Sequence, residues 1–594
     1  MKTKTIILLA VVIVLAAIFI WNKIMRIRKN IHYDLYTEAG ENMDGRKGWN
    51  QYPRPQMKRE KYEMLNDGWT LDKEPVCVPY PPQSLLAKYP HEVKESMIYE
   101  KEFEIPDSFG EEKILLHFGA VDQKARVYVN GELAGSHGGG YLPFVIDITT
   151  LVRRDEKNKL TVKVTDTLDR SYPYGKQRKK RGGMWYTPVS GIWQSVWMEN
   201  VAETYIEKVI LTPDLTGVDI SLEMNGAKAA KKFRATVLLE NGEKLTQQFE
   251  GTSGRIDLSS YNPRLWTVED PYLYTMTVEV ENDTVETYFA LRTIDIHEVE
   301  GVKRVCLNGK PVFMHGVLDQ GYYSDGIYLP AEPEEYERDI LRMKELGFNM
   351  LRKHIKIEPE AFYYYCDKHG MLVVQDMVNN GGYSFVSDTA LPTIGKKKRK
   401  DTKKKIKKTQ QIFKEHTKET IAHLYNHPCI IVYTIFNEGW GQFHSDMMYD
   451  YVRELDPTRL IDSTSGWFWQ EKNDFDSEHI YFKVIDLEVK ERPLFMSECG
   501  GYTRVIDGHC YAKYTSYGYG GADNEKELTD MIIHMYEKMI YPGIKNGVCG
   551  CVYTQVSDVE DEVNGLYTYD RKVCKVDKTA MKELAEKLRI EKVV

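Results

Sequence analysis

From about Asn66 to Asp166 apolar and polar residues alternate in short runs, as in ILLHFGA (114–120), ARVYVNGELAG (125–135) and KLTVKVTD (159–166). A period of two sends successive side chains to opposite faces and predicts half-buried β-strands. Asn130-Gly131, set between two such runs, predicts a tight hairpin. A second alternating stretch, about 203 to 297, contains EKVILTPDL, FRATVLLENGE and LYTMTVEV, with Asn241-Gly242 at a turn, and its spacing suits a small β-sandwich. After Val302 the pattern changes to apolar runs separated by helical ones. Eight apolar segments predict strands at 312–317, 349–355, 371–377, 430–437, 460–465, 479–483, 493–498 and 547–555. Helical periodicity lies between several of them, at 332–346, 358–369 and 526–540, with a further helix near 409–425. Eight β/α units over about 290 residues predict a TIM barrel. The alternative, an open doubly wound sheet, lacks the Gly-rich phosphate loop that such sheets place after a strand.

The first thirty residues follow a different pattern. Lys2 and Lys4 precede an unbroken apolar run from Ile6 to Trp21, and Lys23, Arg26, Arg28 and Lys29 follow it. No A-x-A-like cleavage site comes after the run, so the expectation is an uncleaved single-pass membrane anchor, its side of the membrane undetermined. Residues 31–60 are polar, contain Pro53 and Pro55, and read as a linker.

Composition narrows the function. With 80 Lys plus Arg against 88 Asp plus Glu, the net charge of −8 offers no general attraction for nucleic acid, which excludes that partner. The nine cysteines match neither a zinc site nor a disulfide framework and read as buried thiols. The 40 tyrosines and 10 tryptophans supply flat apolar faces on which sugar rings stack. Oligomeric state leaves no mark in the sequence.

In a TIM barrel the chemistry sits at the C-terminal ends of the strands. Two predicted strands, IIVYTIF and PLFMS, end in Asn437-Glu438 and in Glu498. A carboxylate at the end of an apolar strand is costly unless used or paired. Two of them match glycoside hydrolysis, which needs one carboxylic acid to protonate the leaving oxygen and one carboxylate to attack the anomeric carbon. The alternative for each glutamate is an ion pair at the barrel rim, for instance with Arg352.

The segments IFNEGWGQ (435–442) and RPLFMSECGGY (492–502) resemble the acid/base and nucleophile signatures of glycoside hydrolase family 2, the β-galactosidase and β-glucuronidase family. The resemblance extends over nearly the whole chain after the linker. Residues 118–149 and GIWQSVWME (191–199) resemble the family's sugar-binding jelly roll, RLWTVEDPYLYTMTV (264–278) its immunoglobulin-like sandwich, and LNGKPVFMHGV (307–317) its barrel entry. With the transmembrane anchor or signal-anchor at 1–30 and the linker at 31–60 read from the residues themselves, the resemblance implies a jelly roll at 61–201, an immunoglobulin-like β-sandwich at 202–298 and a catalytic (β/α)8 TIM barrel at 299–594. It also implies a retaining exo-glycosidase acting on an oligosaccharide or glycoside, with Glu438 as acid/base and Glu498 as nucleophile. Asn437 would meet the sugar 2-hydroxyl, Tyr481 would hydrogen-bond the nucleophile, and Arg352 and His354 match the family's R-x-H segment. Asp319, Gln320, Asp376, Trp467, Trp469 and His479 are further candidates for the pocket wall. His315 and His479 lack metal-ligand spacing, and this chemistry calls for no metal and no cofactor.

The chain departs from the family's pattern after the last strand. GCVYTQVSDVEDEVNGLYTYDRK contains no tryptophan, so Gln555, Asp558 and Glu560 are the polar groups expected near the pocket floor. The glucuronidase Asn-x-Lys is missing there too, and the sugar stays open among β-galactoside, β-glucuronide, β-mannoside and arabinoside. A run of ten basic residues in thirteen, KKKRKDTKKKIKK (396–408), follows the third strand and reads as a solvated loop or as an attractor of anionic glycans or lipid. The reading from another class, a membrane-tethered carbohydrate binder without catalysis, has no use for Glu438, Asn437 and Glu498 together.

Overall fold

A computed structural model describes residues 32–43, 48–225, 231–393, 401, 407–481 and 483–593. Its first domain is a β-sandwich. A four-stranded antiparallel sheet contains Tyr62–Met64, Val196–Val201, Lys113–Phe118 and Phe144–Asp147; a six-stranded sheet includes Ser96–Phe103, Asn158–Thr165, Lys124–Val129 and Glu132–Gly138. Alternation governs burial as the sequence predicts: along Asn158–Thr165 every second residue is buried. The Asn130-Gly131 turn joins Lys124–Val129 to Glu132–Gly138 with both residues at positive φ, 52° and 90°, as the twist of a two-residue hairpin requires.

The second sandwich packs Tyr205–Pro213, Gly217–Asn225 and Ser253–Asp257 against Lys244–Glu250, Lys232–Leu238, Tyr274–Val280 and Asp283–Phe289. It has a core of its own, including Leu211, Ile220, Phe233, Val237 and Met276. The first sandwich and the barrel instead share one continuous apolar core, in which Trp193 and Val162 belong to the same cluster as Val317 and Phe495. That shared core fixes the first sandwich against the barrel.

The barrel strands are β1 (Met314–Asp319), β2 (Met350–Lys353), β3 (Leu372–Asp376), β4 (Ile430–Asn437), β5 (Leu460–Ser465), β6 (Asp476–Ile480), β7 (Leu494–Cys499) and β8 (Val548–Tyr553). All pair in parallel, in the order β5-β4-β3-β2-β1-β8-β7-β6. No backbone ladder joins β5 to β6 among the described residues. Side chains close that seam: Ser477 Oγ donates to Asp462 (2.8 Å), and Ser465 Oγ meets His479 Nε2 (3.0 Å). Helices Glu334–Glu345, Glu360–His369, Lys407–Leu424, Ser445–Leu455, Glu525–Met535 and Lys578–Leu588 surround the strands. The connections after β5 and β6 carry no helix among the described residues, so two of the β/α units are reduced to loops.

The sixth strand lies three residues earlier than its pattern predicts, Asp476–Ile480 rather than 479–483. Its barrel-facing residues Ser477 and His479 are polar and are spent on the seam. The expectation of membrane anchorage is corrected: among the described residues no helix is long and apolar enough to cross a membrane. The segment 1–30 to which it was assigned lies outside the described residues, as does most of the basic run 396–408.

Candidate active site

Glu438 stands at the turn where β4 stops. Its φ of 51° is left-handed, a conformation that costs a non-glycine residue about 1–2 kcal/mol and that collects at functional sites. The turn is held by the Glu438 amide donating to Ser465 O at 3.1 Å. Gly439 follows at φ 74°, where a Cβ would stand 2.3 Å from Phe468. The strand end aims the carboxylate inward, and the residue is 6 % exposed. Glu498, on β7, is 5 % exposed.

Between them lie Tyr481 and His479. The Tyr481 hydroxyl donates to Glu498 Oε2 at 2.6 Å and lies 3.3 Å from Glu438 Oε1. His479 Nδ1 is 2.9 Å from Glu438 Oε1, and its Nε2 is 3.0 Å from Ser465 Oγ. The ring fits because residue 466 is glycine: a Cβ there would lie 2.7 Å from the imidazole. Burial pushes the His479 pKa down to about 3, so the ring is neutral, and burial together with the two glutamates keeps Tyr481 protonated. Burial also raises the Glu438 carboxyl above its ordinary range, against Lys176, His354 and Arg352, which pull it down.

Arg352, on β2, organises the Glu498 side. Its guanidinium is fully buried and donates to both oxygens of Asp376 (3.0 Å each), to Glu498 Oε1 (3.0 Å), to Asn437 Oδ1 (2.9 Å) and to Ser497 O (2.9 Å). Such a fork fixes the two glutamate-bearing strand ends, β4 and β7, relative to β2 and β3. Asp376 also takes His354 Nδ1 at 2.8 Å. Burial would raise the Asp376 carboxyl, but Arg352 and His354 outweigh it and hold it low. Trp467 sits edge-on to His479, centroids 5.4 Å apart, its Nε1 donating to Asp388 O.

Other expected residues are occupied elsewhere. Asp319 pairs with Lys353 at 2.6 Å and caps the turn at Gly321. Gln320 is buried beside it, its Oε1 without a hydrogen-bond partner among the described residues. Asp558 pairs with Lys575 at 2.7 Å in a fully buried ion pair, and burial pushes its pKa up to about 6. Gln555 donates to Asn564 Oδ1 at 2.9 Å. Glu560 accepts from Thr187 N and pairs with Arg181, tying the barrel to the first sandwich. His315 lies at the opposite end of its strand against Gly347 O and Tyr536, remote from this cluster.

Several residues had no signal as site residues in the sequence. The first sandwich sends a loop, Tyr174–Tyr186, over the barrel mouth. Tyr174 N donates to Asn379 O after β3, and Gly175 (φ 60°) passes so close that a Cβ would lie 3.0 Å from Ile355 O. This loop delivers Lys176, whose ammonium stands 4.9 Å over the Trp440 ring, and Trp185, stacked on Trp440 at 5.3 Å. It also brings Tyr186, which donates to Glu562. Tyr519 stacks on Tyr481 at 4.2 Å. An atom each of Glu438, His479 and Glu498 lie within 4.8 Å of one another, a spacing a cation could bridge. Both imidazole nitrogens are engaged, however, and the Arg352 guanidinium already faces Glu498, so the group is arranged to share protons rather than a cation.

Comparison with known proteins agrees with this layout. The model described as "Glycosyl hydrolases family 2, sugar binding domain" matches residues 71–201, "Glycosyl hydrolases family 2" matches 204–292, and "Glycosyl hydrolases family 2, TIM barrel domain" matches 298–499. A β-galactosidase of Thermoanaerobacter pseudethanolicus is 26 % identical over 423 residues, 67 % of this chain and 53 % of the relative. A β-glucuronidase of Bacteroides fragilis is 26 % identical over 432 residues, 65 % of this chain and 57 % of the relative. The chain thus spans about half the length of the curated relatives it matches. Among solved structures, a β-D-glucuronidase of Dictyoglomus thermophilum superposes with a TM-score of 0.69 at 18 % identity, covering 90 % of this chain and 98 % of that one. An uncultured Clostridium sp. β-glucuronidase gives 0.68 at 19 %, covering 90 % and 99 %. With three models of one family matched consecutively along two sandwiches and a barrel, this chain belongs to glycoside hydrolase family 2.

Proposed function

We propose that the chain is a retaining exo-glycosidase with Glu498 as nucleophile and Glu438 as acid/base. The observation that carries this reading is the closeness of the two carboxylates, whose nearest oxygens lie within 4.8 Å and share the Tyr481 hydroxyl. Retaining enzymes hold their carboxyl groups about 5–5.5 Å apart, whereas inverting ones leave about 6.5–9.5 Å for a water. In the first step Glu498 attacks the anomeric carbon while Glu438 gives its proton to the departing oxygen. In the second, Glu438 takes a proton from water as the water displaces Glu498. Several contacts support these roles. Arg352 and Tyr481 orient both Glu498 oxygens, and burial favours the protonated form of Glu438 that a general acid needs. Neutral His479 lies within hydrogen-bond reach of that carboxyl. Asn437, fixed by Arg352, is the group we assign to the sugar 2-hydroxyl. The sandwich loop over the mouth supports an end-on pocket, hence attack at a chain terminus. The names of the relatives point to a β-linked galactoside or glucuronide.

Stereochemistry tests the reading. Proton NMR of an aryl β-glycoside digest will show the β-anomer of the free sugar first, with the α-anomer appearing only by mutarotation. First release of the α-anomer, or turnover that survives Glu498→Ala, would falsify it.

A further inference from the structure

The loop Tyr174–Tyr186 carries the run Lys176, Arg178, Lys179, Lys180 and Arg181. Its basic residues divide by direction. Lys179 pairs with Glu95 at 2.6 Å, Arg181 pairs with Glu560 (3.3 Å) and Asp561 (3.5 Å), and Lys180 is exposed. Lys176 and Arg178 differ: among the described residues neither side chain makes a hydrogen bond or an ion pair. Both lie instead on aromatic rings. The Lys176 ammonium sits over Trp440, and the Arg178 guanidinium is 4.7 Å from the Trp185 centroid and 5.8 Å from that of Tyr383.

Lys176 is 7 % exposed. A cation so deeply placed loses hydration that an aromatic face returns only in part. Its charge is the strongest cationic influence on both Glu438 and Glu562, yet neither carboxylate reaches ion-pair distance. Those carboxylates are engaged with other donors: His479 and Tyr481 on Glu438, Tyr186 and Asn564 on Glu562. The ammonium therefore faces the reaction centre with its hydrogen-bonding capacity unspent. A second cation without an ion-pair partner among the described residues, Arg178, stands two residues further along at the mouth.

Resting on the glycosidase reading above, we infer that Lys176 is a specificity-determining residue that pairs with an anionic group of the substrate, a sugar carboxylate or sulfate, and that Arg178 attracts the same group on entry. A neutral sugar would leave the buried ammonium short of a counter-charge; an acidic one completes it. This is selection by satisfying a group already buried, which discriminates more sharply than apolar fit. Both positions lie on the first-sandwich loop, which Arg181 and Tyr186 tie to Glu560, Asp561 and Glu562 beyond the last barrel strand.

The test uses the whole chain and matched aryl β-glycosides: glucoside with glucuronide, galactoside with galacturonide, and the 6-sulfated ester of each neutral member. The expected result is a kcat/KM for acidic members about 100-fold above their neutral partners, falling as salt is raised. Lys176→Met should collapse that ratio, and Lys176→Arg should restore part of it. Sulfated and carboxylated members distinguish the two anions. A neutral member turned over as well as its acidic partner, or a ratio unchanged in Lys176→Met, overturns the inference and leaves the glycosidase reading standing. If no member is hydrolysed, that reading fails, and calorimetry of free glucuronate and galacturonate against glucose and galactose decides the charge question. Tighter binding of the acids that is lost in Lys176→Met supports it, and equal binding overturns it. Thermal melts of both variants, expected to match the parent, separate lost recognition from lost folding.

Discussion

Replacing Arg352 with lysine keeps the charge and removes the fork. The guanidinium makes five hydrogen bonds of 3.0 Å or shorter to four residues, two of them to Asp376, and full burial leaves no solvent to replace them. An ammonium offers three donors from a single point, so it serves Asp376 or Glu498 with at most one neighbour. At least two charge-assisted bonds are lost, each costing about 1.5–3 kcal/mol. The total is about 3–6 kcal/mol, which overlaps the cost of about 3–5 kcal/mol for breaking a buried pair. A domain assembly with ordinary reserves of about 5–15 kcal/mol should remain folded but melt earlier. Because the freed partners include Glu498 and Asn437, activity should fall further than stability implies, by about 10²–10³-fold in kcat/KM at a temperature where the variant is folded. Urea unfolding gives the first quantity and steady-state kinetics the second. A variant destabilised as expected whose kcat/KM stays within threefold of the parent would refute the claim that this guanidinium positions the reacting carboxylates.

Glu438 must be protonated to act as an acid, and its pKa is raised by burial, so kcat/KM should stay high past the ordinary carboxylate range and then fall tenfold per pH unit. In Glu438→Gln, assayed with a dinitrophenyl glycoside that needs no protonation, that descending limb should vanish; its persistence would assign it to another group. Lys575→Met should cost about 3–5 kcal/mol by stranding buried Asp558, seen as an earlier urea midpoint, and an unchanged midpoint would contradict the buried pair. Burial holds His117, His416, His423 and His479 down to about 3 and His137 and His315 down to about 4. These groups bind protons in the unfolded chain below about pH 6.5 but not in the folded one, so their contribution is present above 6.5 and is lost as pH falls toward 4. Melting temperature should therefore be flat from pH 8 to 7 and drop below 6.5, and a flat profile down to pH 5 would count against it.

The two glutamates were legible because each ends an apolar strand that must be buried, and a carboxylate in that place is conspicuous. The sixth strand was displaced for the converse reason. Ser477 and His479 face inward but serve the β5–β6 seam, so the segment reads as polar although it is buried. Asp319 and Asp558 were open to either a sugar or a salt bridge because a carboxylate's partner is not written beside it. Lys353 lies on the neighbouring strand and Lys575 beyond a long loop. Lys176 carried no signal at all as a site residue. A basic run on a sandwich loop looks solvated until Trp440, far along the chain, is seen beneath it.

The loop from the first sandwich has a consequence for how such a protein changes over generations. In the proposed mechanism bond cleavage rests on β4, β6 and β7, whereas the inferred admission to the pocket rests on a segment encoded hundreds of residues upstream. On that inference, mutations in that segment should alter which molecules enter while leaving the strand ends that hold the glutamates in place. New preferences can therefore be sampled by exchanging loops while the reaction itself is preserved, and a loop grafted from a relative carries a preference with it. Removing the leading sandwich would strip one wall from the chamber and also expose the apolar core that the sandwich shares with the barrel.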